Sequence, residues 1–272
     1  MSFSGRLARW SAVFGLAMLV FAVPARADFT TVDLTLVPAS AQYNTVDLSL
    51  EVSASGSTVS DTDTSTIAGN VLAQLTYTAP PAAYDADVTG LEFTGGHVTF
   101  SDISFYLSFG LAGNITADGT NLAGYPDTPA PPGTVTVVHF PSQFEFPTQE
   151  HEVVLNEGSF VIAGNGLIGG FLSPNPMLFD LSTSPMSGTT TGTGTLDVSS
   201  PVIAGNLATY DVTLTMPVAF DEEVYNDGTI AASVVASGIL QAAGQFTHVI
   251  PEPATVLLLA AGAGVLGLRR RR

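Results

Sequence analysis

The chain contains no cysteine. Disulfide bonds, catalytic thiols and thiolate metal sites are therefore excluded. A chain of 272 residues can be stable without disulfides if it buries a sizeable apolar core. With 46% hydrophobic and only 11% charged residues, the composition favours such a folded core over disorder.

Lysine is absent as well, and the seven arginines lie only near the two ends of the chain. Three arginines precede Asp28 and four follow Leu268, so histidine is the only basic residue type in between. This central part has no cationic patch for a phosphate backbone, which excludes nucleic acid as a partner. Lysine Schiff-base chemistry and arginine clamps on nucleotides are excluded for the same reason. The acidic residues give a net charge of −17, which favours solubility and attracts cations.

Residues 1–27 have the pattern of a secretory signal peptide. In order, the pattern consists of the basic residues Arg6 and Arg9, the apolar stretch 11–23, and the A-x-A cleavage residues Ala25 and Ala27. The apolar stretch is too short for a membrane span. We therefore expect export, with cleavage after Ala27 and a mature chain that begins at Asp28.

A second targeting segment is expected at residues 251–272. It consists of Pro251, Glu252 and Pro253, then the apolar run 254–268, then four arginines at 269–272. The prolines have a fixed φ and no N–H donor, so their segment should be extended and accessible. As a helix the apolar run would be about 22 Å long at about 1.5 Å per residue, shorter than the roughly 30 Å bilayer core. This predicts a short transmembrane helix whose arginines lie at the cytoplasmic headgroups.

The tail resembles the PEP-CTERM sorting signal, which has the same three parts in the same order. The resemblance covers only this tail. It implies temporary anchoring in the bacterial inner membrane and cutting near the Pro-Glu-Pro motif by an exosortase-type membrane protease. It further implies delivery to the cell surface or to an extracellular exopolysaccharide matrix. The alternative is an ordinary C-terminal anchor in which the prolines occur by chance.

The body, residues 28–250, has the patterns of strands. Val46, Leu48, Leu50 and Val52 alternate with polar residues, and a similar alternation extends from Tyr210 to Phe220. Turns are predicted at Gly95-Gly96, Asp118-Gly119, Asn165-Gly166 and Asn226-Asp227-Gly228. No body segment shows a capped helical period. We therefore predict an all-β fold, an antiparallel β-sandwich of the jelly-roll kind, with a single closed sheet as the alternative.

The organisation of the body is open at one point. Residues 125–133 contain four prolines and are typical of a stiff linker. They divide the body into two sandwiches, 28–124 and 134–250, or form a loop within one domain, which we favour. Segments 31–36 and 45–50 look like a repeat, and we predict that they are neighbouring paired strands.

Two motifs come close to metal sites without completing them. Glu150-His151-Glu152 begins like the zinc motif H-E-x-x-H, but Leu155 stands where the second histidine is needed. We therefore predict a solvated strand end around His151. Asp61 and Asp63 resemble the start of a calcium loop, but the glycine and the final glutamate of that loop are missing.

The best remaining candidate site is the acidic segment Asp221, Glu222, Glu223 and Asp227, beside a predicted turn. Carboxylate oxygens without competing lysines suit Ca²⁺, so this segment predicts a calcium site. The alternative is a charged hairpin tip that keeps the protein soluble.

We expect no catalytic residues and no obligatory cofactor. The favoured hypothesis is a non-enzymatic protein of the cell surface or the exopolysaccharide matrix. The alternatives are a calcium-dependent carbohydrate-binding or adhesive module that uses the acidic segment, and a secreted carbohydrate-active enzyme.

Overall fold

The computed structural model describes residues 27–54, 56–78, 87–129, 135–140, 143–172, 174–226 and 228–250. The predicted signal peptide up to Arg26, which includes Ala25, lies outside these ranges, as does the sorting tail with Pro251, Glu252 and Pro253. Ala27 is the first residue of the first strand. Among the described residues no helix has the length and hydrophobicity of a membrane span. The predicted helix at 254–268 lies outside them.

Strands make up most of the described chain, as the alternating sequence pattern predicts. They are β1 (Ala27–Leu36), β2 (Thr45–Ala54), β3 (Ser57–Thr78), β4 (Asp87–Phe100), β5 (Ile103–Ser108), β6 (Asn114–Asp127), β7 (Val135–Thr136), β8 (Val138–Phe140), β9 (Gln143–Pro147), β10 (Glu152–Gly164), β11 (Met177–Asp180), β12 (Met186–Thr189), β13 (Thr193–Val198), β14 (Val202–Ala204), β15 (Leu207–Asn226) and β16 (Ile230–Val249). The helical elements are α1 (Gly166–Gly169) and two 3-10 turns, Gly110–Ala112 and Thr148–Glu150.

These strands belong to one hydrogen-bonded, antiparallel network. Its main path runs β11-β10-β6-β4-β3-β1-β16-β15-β13-β9-β8. The short strand β7 pairs with β4, while β8, which follows it, pairs with β9. The all-β, antiparallel prediction is confirmed. The division into two layers of a sandwich stays a prediction.

Strands β1 and β2 lie end to end between β3 and β16. Each of them pairs with both neighbours, and residues 37–44 loop out between them. The sequence repeat therefore marks two strands in one position of the sheet, and our prediction that they pair with each other is wrong. The repeat arises because both strands bury alternate residues against the same two long neighbours.

Asn44 closes the gap that this loop leaves in the sheet. Its side-chain amide donates to the carbonyls of Val37 and Gln241 at 2.7 and 2.8 Å, and its Oδ1 accepts from the Gln241 N–H at 2.8 Å. Its φ of 58° is in the left-handed region, which asparagine tolerates better than most residues. One fully buried side chain thus replaces the strand pairing that the loop removes.

Two aspartates on β3 hold β5 where backbone pairing stops. The Tyr106 N–H donates to Asp61 Oδ2, and the Ser104 N–H donates to Asp63 Oδ2, both at 2.7 Å. These carboxylates therefore satisfy amides along an edge of β5. The partial calcium-loop pattern of the sequence thus contains two acceptors for backbone amides.

The buried side chains form two clusters. The major core lies around β1, β3, β4, β9, β13, β15 and β16, and its largest buried members include Leu34, Leu75, Phe93, Tyr210 and Leu214. The minor core lies around β2, β5, β6 and α1 and includes Leu50, Phe105, Ile115, Ile168 and Leu181. Leu48 and Phe100 pack against both clusters, at the place where they meet.

Two of the predicted turns are wrong. Gly95-Gly96 lies within β4, beside a register shift against β3, and Asp118-Gly119 lies within β6. Both pairs contain glycine at close backbone or side-chain approaches. A Cβ on Gly96 would collide with the backbone of β3, and one on Gly119 would meet the side chain of Phe160 at 2.8 Å. Here glycine indicates crowding rather than a reversal of the chain.

The other two predicted turns lie at ends of elements. Asn165 caps α1, which begins at Gly166. Asn226 ends β15 and Gly228 lies between β15 and β16, which pair along almost their whole length. In the proline-rich segment, residues 125–127 belong to β6 and pair with β10, so this part of it is not a linker. Strands from both sides of the segment pair directly, as β16 does with β1 and β2. The one-domain organisation of the body stays a prediction.

Candidate functional sites

A cavity of about 340 Å³ lies where the major and minor cores meet. Its walls are formed mostly by aliphatic and aromatic side chains, among them Val46, Ile67, Phe100, Ile103, Leu122 and Leu240. These residues come from β2, β3, β4, β5, β6 and β16. No sequence pattern predicted this site, because its walls come from strands that are distant along the chain.

The cavity is large for a protein core. Its volume is within the range of small-molecule pockets, about 300 to 1,000 Å³. A space of this kind therefore calls for an occupant, either water or an apolar molecule.

The polar groups of the cavity lie on its wall and at its mouth. Ser65 donates its hydroxyl hydrogen bond to the Ser101 carbonyl at 2.9 Å, and Thr190 donates to the Thr148 carbonyl at 3.1 Å. Both hydroxyl protons are thus directed at the protein's own backbone. Among the described residues of the lining, Glu223 is the only charged one, and it is exposed. The electrostatic character of the mouth is therefore negative.

His151 is the centre of a buried polar network close to this region. It is only 1% exposed and lies between the rings of Phe93 and Phe146, with centroid distances of 4.5 and 5.4 Å. Its Nδ1 is 2.8 Å from Thr128 Oγ1, which also accepts a hydrogen bond from the Phe93 N–H at 2.8 Å. The direction of the hydrogen bond between Thr128 and His151 depends on which imidazole nitrogen carries the proton. Within the described chain Nε2 has no hydrogen-bond partner.

This environment favours the neutral imidazole. Burial lowers the pKa of His151 to about 4, because no carboxylate compensates for the loss of solvation. Our prediction of a solvated strand end at His151 is wrong. The residue lies between the 3-10 turn Thr148–Glu150 and β10, and the side chain points into the major core rather than to solvent. Sequence reasoning missed this, because its neighbours come from β4, from β9 and from Thr128 just after β6.

The acidic segment is only partly described. Asp221 and Glu223 are exposed and two residues apart near the end of β15. Glu223 Oε2 accepts a hydrogen bond from the Asn226 side-chain amide at 3.1 Å. The side chain of Glu222 and all of Asp227 lie outside what the structure describes. In the described part of the chain no cluster of three or more potential ligands forms. The calcium site at these four residues stays a prediction.

Both ends of the body meet at one end of the sheet. The Ile250 N–H donates to the Asn206 carbonyl at 2.7 Å, so the chain is held in the sheet up to the residue before the Pro-Glu-Pro motif. The Asp28 carboxylate is 4.0 Å from His248 Nδ1, next to that point. Asp28, the predicted first residue of the mature chain, therefore lies close to the last described residues of the body.

Comparison with known protein families identifies residues 249–272 as a PEP-CTERM protein-sorting motif. Neither a curated protein nor a solved structure matches the chain significantly. The match covers the whole predicted tail and leaves the body without a relative. This chain therefore carries a PEP-CTERM protein-sorting motif, which marks it as an exported protein that an exosortase processes at the membrane.

Proposed function

We propose that the protein is a non-enzymatic component of the cell surface or of the extracellular exopolysaccharide matrix. The helix at 254–268 holds it in the inner membrane until an exosortase cuts near Pro251, Glu252 and Pro253. The observation that carries this proposal is the sorting motif at residues 249–272. The hydrogen bond between Ile250 and Asn206 supports it, because it holds the body in the sheet up to the residue before the motif.

The charge of the body bears on what it binds outside the cell. After removal of both targeting segments the protein has carboxylates but neither lysine nor arginine. Direct contact with an anionic polysaccharide would bring like charges together. The body therefore associates with neutral polysaccharide directly and with acidic polysaccharide through divalent cations.

A calcium-dependent carbohydrate-binding or adhesive module is the second candidate. It is favoured by the position of Asp221 and Glu223, which are exposed on the same strand beside the hairpin between β15 and β16. Calcium held there would present a positive charge to sugar hydroxyls or carboxylates.

Co-sedimentation of the exported protein with the producer's own exopolysaccharide tests both candidates. We expect the protein in the pellet, and we compare millimolar Ca²⁺ with an excess of chelator. Binding that chelator abolishes, and that Asp221→Asn weakens, supports the calcium-dependent module. Binding that is the same in both conditions supports the matrix protein without a calcium site. A protein that stays in the supernatant in both conditions contradicts association with the matrix.

A further inference from the structure

We propose that the cavity between the two cores binds an amphiphile with an unbranched apolar chain and an uncharged or cationic head. This inference does not depend on the proposed function, because it rests on the lining of the cavity and not on the tail. It assigns a ligand-binding site to the body, for which the comparisons give no relative.

The walls select an apolar molecule. Nearly all the side chains around the cavity are aliphatic or aromatic, including Leu48, Phe105 and Phe160. The Ser65 and Thr190 hydroxyls already donate to backbone carbonyls. A sugar or another polar solute would lose its hydration here and find few groups to replace it. A hydrocarbon chain has no hydrogen bonds to water to lose when it enters, and it gains contact with the walls.

The mouth selects the head. Glu223 is the only charged group among the described lining residues, and residues 28–268 contain no lysine or arginine that could hold a carboxylate or phosphate. An anionic head would therefore be repelled by the Glu223 carboxylate, with no positive charge nearby to compensate. An alcohol or an ammonium head would not be repelled. The preferred head is uncharged or positive.

The exposed members of the lining, Met186, Ser187 and Glu223, mark the mouth and lie on β12 and β15. β12 contributes Met186, Ser187 and Gly188 to the lining and pairs with β10 along a single short stretch. Opposite it, β15 is paired with β13 only at residues 212–215, so Glu223 lies beyond that pairing. Met186 is 36% exposed and has an unbranched, flexible side chain that adapts to a ligand. An elongated molecule can enter between these two strands without breaking a long ladder.

A head-group series tests the proposal on the exported protein, purified from cells that process it. The neutral dye Nile red reports occupancy, and the competitors are 1-decanol, decylamine and decanoate, which share one chain length. We expect dye binding at one site, displacement by 1-decanol and decylamine, and at least about threefold weaker displacement by decanoate. Absence of saturable dye binding, or equal displacement by all three compounds, overturns the proposal.

Variants locate the binding in the cavity. Val234 lines it, whereas Val235, next to it on β16, is 42% exposed and faces the other side of the sheet. We expect Val234→Trp to reduce dye affinity at least about tenfold and Val235→Trp to leave it unchanged, since only the first indole enters the cavity. Equal effects of the two substitutions contradict the site.

A second pair of variants tests the role of the charge at the mouth. Glu223→Gln should improve competition by decanoate and leave competition by 1-decanol unchanged. Asp47→Asn removes an exposed carboxylate that does not line the cavity, and it should change neither. If Glu223→Gln alters all three competitors equally, the charge selection is wrong. This pair remains informative if the Val234→Trp protein fails to fold.

Discussion

The buried imidazole of His151 makes the stability of the body depend on pH between about 4 and 6.5. Burial lowers its pKa in the folded protein to about 4, while an exposed histidine in the unfolded chain has a pKa of about 6.5. As the pH falls below 6.5, the unfolded chain takes up a proton that the folded protein refuses. The stabilisation is therefore complete above pH 6.5 and is lost as the pH falls towards 4. A difference of about 2.5 pKa units corresponds to about 3 kcal/mol at about 1.36 kcal/mol per unit.

The comparison of two substitutions isolates this contribution from that of the carboxylates. His151→Gln removes the buried titrating group, and His97→Gln removes one whose side chain is 57% exposed. The free energy of unfolding is measured by urea titration at pH 7.5, 5.5 and 4, with circular dichroism as the signal. Trp10, the only tryptophan, lies in the predicted signal peptide, so tryptophan fluorescence is not suitable.

We expect the wild type and His97→Gln to lose about 3 kcal/mol more than His151→Gln between pH 7.5 and 4. Other effects of His151→Gln on the free energy of unfolding are the same at all three pH values, so the difference between pH 7.5 and 4 isolates the titration of the imidazole. If all three proteins have parallel pH profiles, His151 is not buried as the structure has it, and the argument is refuted.

Three further predictions concern other parts of the body. Asn44→Ala should lower the free energy of unfolding by about 2 to 4 kcal/mol, because it leaves buried backbone groups unpaired. Gln42 is exposed, so Gln42→Ala should have little effect in the same urea assay. Asp63→Ala should lower the free energy of unfolding by about 1 to 2 kcal/mol, because it leaves an amide of β5 without its acceptor. If the decrease is no larger than for Asp47→Ala, at an exposed position, this role of Asp63 is contradicted. If the acidic segment binds calcium, Ca²⁺ at a hundredfold excess over Kd should raise the melting temperature by about 5 °C, and Asp221→Asn should remove this rise. An unchanged melting temperature contradicts the calcium prediction.

The strands were predictable where burial alternates along the sequence. In β2, Val46, Leu50 and Val52 are buried while Asp47 and Glu51 are exposed, as the pattern indicates. The same holds for the even-numbered residues of β15 from 208 to 218. Such patterns depend only on which face of a strand is covered, so they need no knowledge of its partner.

Pairing and crowding were not predictable in this way. The end-to-end arrangement of β1 and β2 depends on β16, about 200 residues further along the chain. Gly96 and Gly119 look like turn residues, but each is required by a neighbour that comes close in the fold. The local sequence cannot distinguish a glycine needed for a turn from one needed for contact.

The sorting motif and the buried sites also differ in how far the local sequence predicts them. The sorting motif is contiguous in the sequence, so its residues Pro251, Glu252 and Pro253 could be identified directly. The cavity and the His151 network are assembled from distant strands. The nearest signal in the sequence was His151 itself. Its neighbours Glu150 and Glu152 suggested solvent exposure, because charged residues usually lie at the surface. Phe93 and Phe146 reverse that expectation.

The mass of the protein from cells with and without the exosortase tests the central claim most directly. With the enzyme present, intact-mass spectrometry should give a soluble chain that begins at Asp28 and has lost the apolar run 254–268 and the four arginines. Without the enzyme, the chain should retain its tail through Arg272 and sediment with the membranes. The same mass in both strains, with the tail retained, would contradict the account.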